Sequence, residues 1–359
     1  MSPSRAERWL RWIVWSAGLV AFALVLAQAD LRAATDILIA GGPLLALGAL
    51  PYLAQLGLDA LCWRTLLAAL GRRVAWRRLL AIRLSTEAVL MSMPGGAFLG
   101  ETLKPYLLAR TDRVPAAETV ATIAVKKCML VFAEVLYLAV ALTLGAALYA
   151  QHSIALTGTH LLPWLVAAAI ALLLIVGTGM ALAFTHGALG DRLHRALVRL
   201  PWPRVRRWLE ARRAPFADAD AAFATLAAAP RSRLAAAQAA LIGAWFVETA
   251  ETWLLLHLLG IDLPIVTVLA MEAAVVFVRN LAFFLPAGLG VQDAGYLGFL
   301  GAFGIASPAA AAFVLGKRTK ELFWILAGYL TLVVLDGRRA AHATTTGLTA
   351  PASTAEMST

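Results

Sequence analysis

Eight acids and eight bases interrupt otherwise apolar stretches of this 359-residue chain. The acids are Glu87, Glu101, Glu134, Glu248, Glu251, Glu272, Asp293 and Glu321. The bases are Arg83, Lys104, Lys126, Lys127, Arg279, Lys317, Arg318 and Lys320. Lysine is a compact cation that meets phosphate as a point charge. A carboxylate can meet an amine, balance a base or serve as an acid or base. Some of these groups can pair on their own helix: Arg83/Glu87 and Lys317/Glu321 at i,i+4, Glu101/Lys104 and Arg318/Glu321 at i,i+3. Glu134 lies on the Lys127 face and is a possible partner for it. All five lysines fall in two segments, whereas every cation of the connecting loops is arginine.

The two lysine-bearing segments share an order. Pro94, Gly95 and Gly96 break one apolar run; Pro286, Gly288 and Gly290 break another. Seven residues after the first proline of each comes a carboxylate, Glu101 or Asp293. A second proline follows, Pro115 or Pro308, and then a basic pair, Lys126-Lys127 or Lys317-Arg318, inside a long apolar helix that also bears Glu134 or Glu321. The order predicts an internal repeat, residues 37–150 and 234–335, in which broken helices meet near the membrane midplane. The four bases of the two pairs are then expected close together, binding an anionic headgroup. The bland alternative is a set of internal salt bridges.

The elements that must position these groups are membrane helices. Apolar residues make up 61% of the chain and charged ones 14%, far from soluble proportions, and mean hydropathy is +0.78. The apolar runs are Trp9–Ala29, Ile37–Leu58, Leu79–Leu108, Ala116–Ala150, Leu161–Phe184, Leu234–Leu259, Ile265–Phe303 and Pro308–Leu335. Most reach the roughly 20 residues that cross a bilayer. Loop cations alternate: 22 lie on one side and Arg32 alone on the other. The positive-inside rule puts both termini in the cytoplasm. Leu79–Leu108 then begins and ends inside, and Ile265–Phe303 begins and ends outside. Each is read as a re-entrant pair, the two of opposite orientation. The expectation is an all-α polytopic membrane protein with about six full spans and two re-entrant broken-helix pairs. Residues 1–335 form one transmembrane domain, residues 185–233 an arginine-rich cytoplasmic loop, and residues 336–359 a disordered cytoplasmic tail.

Other features argue against soluble chemistry. Six histidines lack metal-ligand spacing, so neither a metal nor a cofactor is expected. Cys62 and Cys128 stand in apolar helical contexts and predict no disulfide. Trp9, Trp12, Trp15, Trp63, Trp76 and Trp164 lie near run ends, as interface anchors do. The arginines of residues 192–213 suit a helix resting on anionic lipid, not nucleic acid. Glu248 and Glu251 are expected to neutralise Arg279 or a lysine.

The block Pro94–Leu108, reading PGGAFLGETLKPYLL, resembles the first signature of the lysylphosphatidylglycerol synthase transmembrane-region family, also called flippase-like membrane proteins. Ala121–Lys127 is similar to its next block. Phe284–Gly295, FLPAGLGVQDAG, resembles its second signature, with Asp293 where the family usually has glutamate. The wording is closest to the hopanoid-associated HpnL branch. The resemblance covers most of Leu10–Leu335. It implies residence in a bacterial inner membrane and movement of a polar lipid between leaflets, linked to hopanoid or aminoacyl-phospholipid metabolism. The soluble aminoacyl-transferase domain of the full-length synthases has no counterpart here, so enzymatic aminoacylation is not expected. The candidate lining is Glu101, Lys104, Lys126, Lys127, Glu134, Arg279, Asp293, Lys317, Arg318 and Glu321. The expected partners are membrane lipids, with lipid-biosynthesis proteins as possible associates. The alternative reading is a membrane-embedded enzyme, or an assembly partner, acting on a lipid headgroup.

Overall fold

A computed structural model describes residues 30–93, 96–199, 201, 203–210, 213–281 and 288–347, together with Ser16, Val20, Phe22 and Ala23. The expected span Trp9–Ala29 therefore lies largely outside the described residues, as do Pro94, Gly95 and Pro286.

Every described element is helical. Helix α1 (Leu31–Gly41) starts where the Asp30 carboxylate accepts the Ala33 N–H at 3.1 Å. Gly41, Gly42 and Pro43 interrupt it. A 3-10 segment, Gly42–Ala49, leads into α2 (Leu50–Ala69), with Pro51 in the first turn. Helices α3 (Trp76–Ser92) and α4 (Gly96–Asp112) follow, then α5 (Ala116–Thr157) and α6 (Leu162–Thr185). The arginine-rich stretch forms α7 (Leu189–Val198), α8 (Pro203–Glu210) and α9 (Arg213–Ala227). The chain continues as α10 (Arg231–Leu258), α11 (Ile265–Leu281), α12 (Val291–Ala302) and α13 (Ser307–Gly347).

Among the described residues, four segments are long and apolar enough to cross a membrane: Leu31–Ala69, Ala116–Thr157, Leu162–Thr185 and Arg231–Leu258. Helix α13 has the length, 41 residues, but concentrates Lys317, Arg318, Lys320 and Glu321 on adjacent turns. Its helix continues to Gly347, past the Asp336 boundary of the expected disordered tail. The outward faces fit lipid. Trp164, Leu172 and Ile175 on α6, and Leu326, Leu330 and Val333 on α13, are all more than 60% exposed. In water so much contiguous apolar surface would drive association.

Both glycine-marked breaks produce antiparallel helix hairpins. A Cβ on Gly96 would stand 2.4 Å from the Leu90 carbonyl oxygen, and one on Gly100 would stand 2.8 Å from that of Thr86. Hydrogen at these positions lets α4 lie directly on the α3 backbone. Each arm has 17 residues, about 25 Å at 1.5 Å per residue. In the second hairpin Gly288 and Gly290 take φ of +60° and +82°, which side chains disfavour. Gly295 lies against Val275, and Gly288 against Arg279, so α12 folds back on α11. Gly328 of α13 meets Leu84 and Ala88 of α3 as closely.

One apolar core joins α2, α5, α9, α10 and α11 around Tyr137 and Trp245. A second joins α5, α6 and α10–α13 around Tyr149, Tyr296 and Phe313. The stretch read as a loop is thus partly core, because Phe223 and Leu226 of α9 are buried against α5. Cys62 and Cys128 are free and buried.

Candidate functional site

The buried ions form two networks, one on each broken hairpin. In the first, Asp59 of α2 accepts from Lys126 Nζ at 2.7 Å and from Arg83 Nε at 2.9 Å. Arg83 also pairs with Glu87, one turn on. Glu101 of α4 is shared: Oε2 meets Lys104 Nζ at 2.6 Å, and Oε1 meets Lys127 Nζ at 2.8 Å. Lys104 and Lys126 are 2% exposed, whereas the Lys127 side chain is 42% exposed. Three carboxylates thus face four cations, leaving one positive charge in excess.

The second network centres on Glu272, which is fully buried. It accepts from Lys317 Nζ at 2.8 Å, from Tyr296 Oη at 2.9 Å and from Thr252 Oγ1. Lys317 also donates to Tyr296 Oη at 2.6 Å. Arg318 forks onto Asp293, Nε to Oδ1 and Nη2 to Oδ2, both at 2.8 Å, and reaches Glu321 at 2.5 Å. Asp293 Oδ2 additionally accepts the Gly290 N–H at 2.8 Å, which fixes the start of α12. Lys320 pairs with Glu251, and Arg279 with Glu248 at 2.9 Å. Glu248 and Glu251 therefore neutralise Arg279 and a lysine, as expected.

One correspondence was not legible as a contact. Glu101 and Asp293, each seven residues after its break proline, bond to the second base of the following pair, Lys127 and Arg318, each at 2.8 Å. Matching sequence positions carry matching ion pairs.

Other placements differ from expectation. Glu134 does not neutralise Lys127; its Oε1 accepts from the Asn280 amide. Lys317 turns away from Glu321 to Glu272, which lies deeper. Each of the four bases is tied to a carboxylate, Lys126 to Asp59, Lys127 to Glu101, Lys317 to Glu272 and Arg318 to Asp293. The networks meet at α2. Tyr52 Oη donates to Glu87 at 3.2 Å while Lys320 Nζ lies 5.0 Å from the Tyr52 ring centroid. Gln55 Nε2 donates to Glu248 at 3.1 Å. Asp59, Tyr52 and Gln55 are not among the sequence candidates, because the apolar run ends at Leu58, one residue before Asp59, and Tyr52 and Gln55 are uncharged. A signal existed: Tyr52, Gln55 and Asp59 recur at three- and four-residue spacing, which is one helical face.

Arg192 and Arg195 of α7 and Arg206 and Arg207 of α8 are exposed, and two of them pair locally, Arg195 with Asp191 at 3.2 Å and Arg206 with Glu210 at 2.8 Å. Asp220 of α9 caps α7 through the N–H groups of Gly190 and Asp191, at 2.7 and 3.0 Å. Outside the spans, Arg72 grips both oxygens of Glu118 at 2.7 and 2.8 Å, and these hydrogen bonds raise its pKa further. Among the described residues no group of histidine, cysteine and carboxylate side chains is placed to hold a metal ion.

Long apolar helices, lipid-fitting outer faces and buried, mutually paired charges define a multi-pass membrane protein. Residues 10–328 match the model of the family described as lysylphosphatidylglycerol synthase TM region, and the chain belongs to that family of membrane domains, which is associated with lipid handling. The match is to the TM region alone. No curated protein and no solved structure matches the chain.

Proposed function

We propose that this protein moves a polar lipid between the leaflets of a bacterial inner membrane, and that the lipid headgroup is met at the Glu101–Lys127 pair. The observation that carries this reading is the excess cation of the first network. Lys127 is twelve residues into an apolar helix, shares its carboxylate with Lys104, and keeps much of its side chain exposed. A lysine side chain half-exposed at that depth needs water or an anion for its ammonium, and a headgroup phosphate supplies one. Phe98 and Leu99, within one turn of Glu101 on α4, are exposed and suit acyl chains. The matched Glu101–Lys127 and Asp293–Arg318 pairs support an inverted repeat with two re-entrant hairpins, both termini being cytoplasmic. In such a repeat Arg318 holds the equivalent place for the opposite leaflet. The substrate class is an anionic or zwitterionic lipid, and the resemblance of the second signature to the hopanoid-associated branch favours a hopanoid-linked one.

The test is Lys127→Gln in proteoliposomes carrying a fluorescent anionic phospholipid. Loss of one charge-assisted hydrogen bond, ~1.5–3 kcal/mol, predicts a drop of about tenfold or more in lipid co-purification and transport, with folding intact. Unchanged transport and unchanged lipid binding refute the site.

A further inference from the structure

Every other carboxylate in the two networks has a lysine or arginine partner. Glu134 has none among the described residues. It sits near the midpoint of the 42-residue α5 and is 8% exposed. Its one hydrogen bond comes from a neutral donor, the Nδ2 of Asn280 in α11, to Oε1. From these observations we propose that Glu134 is a proton-binding site, holding a proton on Oε2 as a neutral carboxylic acid while Oε1 accepts the Asn280 amide.

The surroundings support this assignment. The charged groups that face Glu134 are Arg279 of α11 and Glu248 of α10, and these hold each other at 2.9 Å. Helix α6 runs along α5 and brings no titratable side chain. The groups that α2 and α4 bring to α5, Asp59, Glu101 and Lys104, belong to the network of Lys126 and Lys127, about two turns away. Asp293 of α12 is held by Arg318, and Asp220 of α9 caps α7; Asp218 of α9 is exposed. An ionised carboxylate without a cation is the costliest state for such a place, and protonation removes the charge.

Release gives a carboxylate and a proton delivered to water. The remaining negative charge draws on Arg279, its one facing cation. Arg279 holds Glu248 through Nη1, and Gln55 of α2 also holds that carboxylate at 3.1 Å, so a shift of the guanidinium towards Glu134 disturbs this contact. Proton exchange at Glu134 thereby acts on the contact between the second hairpin and α2, where the two networks meet. That this exchange drives lipid movement rests on the proposed function above; the proton site itself does not.

The experiment uses the full chain in liposomes and infrared difference spectroscopy across a pH step. Wild type is expected to show the carbonyl stretch of a buried carboxylic acid. Glu134→Gln keeps the shape and an oxygen for Asn280, and is expected to lack that band. Asn280→Ala keeps the acid, removes its donor and is expected to shift the band, which decides the matter if the first variant does not insert. A carboxyl band that survives Glu134→Gln, or that is unmoved by Asn280→Ala, overturns the assignment. In the same vesicles an imposed pH gradient is expected to alter fluorescent-lipid transport by wild type and not by Glu134→Gln. A band that behaves as expected in a protein that moves no lipid supports the proton site and refutes the transport reading instead.

Discussion

Lys317→Met tests whether the second network is held by mutual neutralisation. Lys317 is 4% exposed, and its partner Glu272 is fully buried. The change removes a 2.8 Å ion pair and the 2.6 Å bond to Tyr296. Glu272 keeps hydrogen bonds from Tyr296 and Thr252 but loses its one cation. Breaking a buried pair from one side costs about 3–5 kcal/mol. Making Lys317→Met together with Glu272→Gln leaves no buried charge, and should recover most of that loss, because replacing both members of a buried pair is often close to neutral. Because Glu272→Gln alone also strands a buried charge, a double-mutant cycle from equilibrium unfolding in mixed micelles predicts a coupling of about 3 kcal/mol or more. Lys127→Gln serves as the exposed control, expected to cost ~1 kcal/mol or less. Equal, small losses for Lys317→Met and Lys127→Gln would refute the reasoning, since Lys317 is buried on a carboxylate that pairs with no other cation among the described residues, whereas Lys127 is half-exposed on one that it shares with Lys104.

Gly96→Ala should disrupt the first hairpin, because its Cβ would meet backbone oxygens at 2.4 and 2.5 Å; Gly179→Ala, facing open space, should unfold like wild type. Cysteine labelling at Thr111 and Ser307 should place the first inside and the second outside the cell, and labelling from the same side would end the inverted-repeat proposal. Neutralising Arg195, Arg206 and Arg207, which are exposed, should weaken adsorption to anionic vesicles and leave lipid transport within about twofold; complete loss of transport in an inserted protein would place these arginines in the pathway.

The sequence by itself determined the solvent. Apolar runs of bilayer length, the arginine asymmetry and the Pro/Gly breaks need no tertiary information, because hydropathy, helix length and backbone restriction are local properties. Local spacing also specified the short-range pairs Arg83–Glu87, Glu101–Lys104 and Arg318–Glu321, since residues three or four apart share a helical face whatever the fold. Spacing could not choose among partners on different helices. Lys317 had Glu321 at i+4 and took Glu272, 45 residues earlier, because the fold brings that carboxylate of α11 within 2.8 Å of it. Asp59 looked like a loop acid until α2 carried it inward to Lys126. Glu134 looked like a lysine partner until α11 presented Asn280 there instead. Each outcome turns on which helix faces which, and in a chain whose helices are apolar all round that choice is made by packing contacts such as the glycine approaches of α3, α4 and α13, not by periodicity.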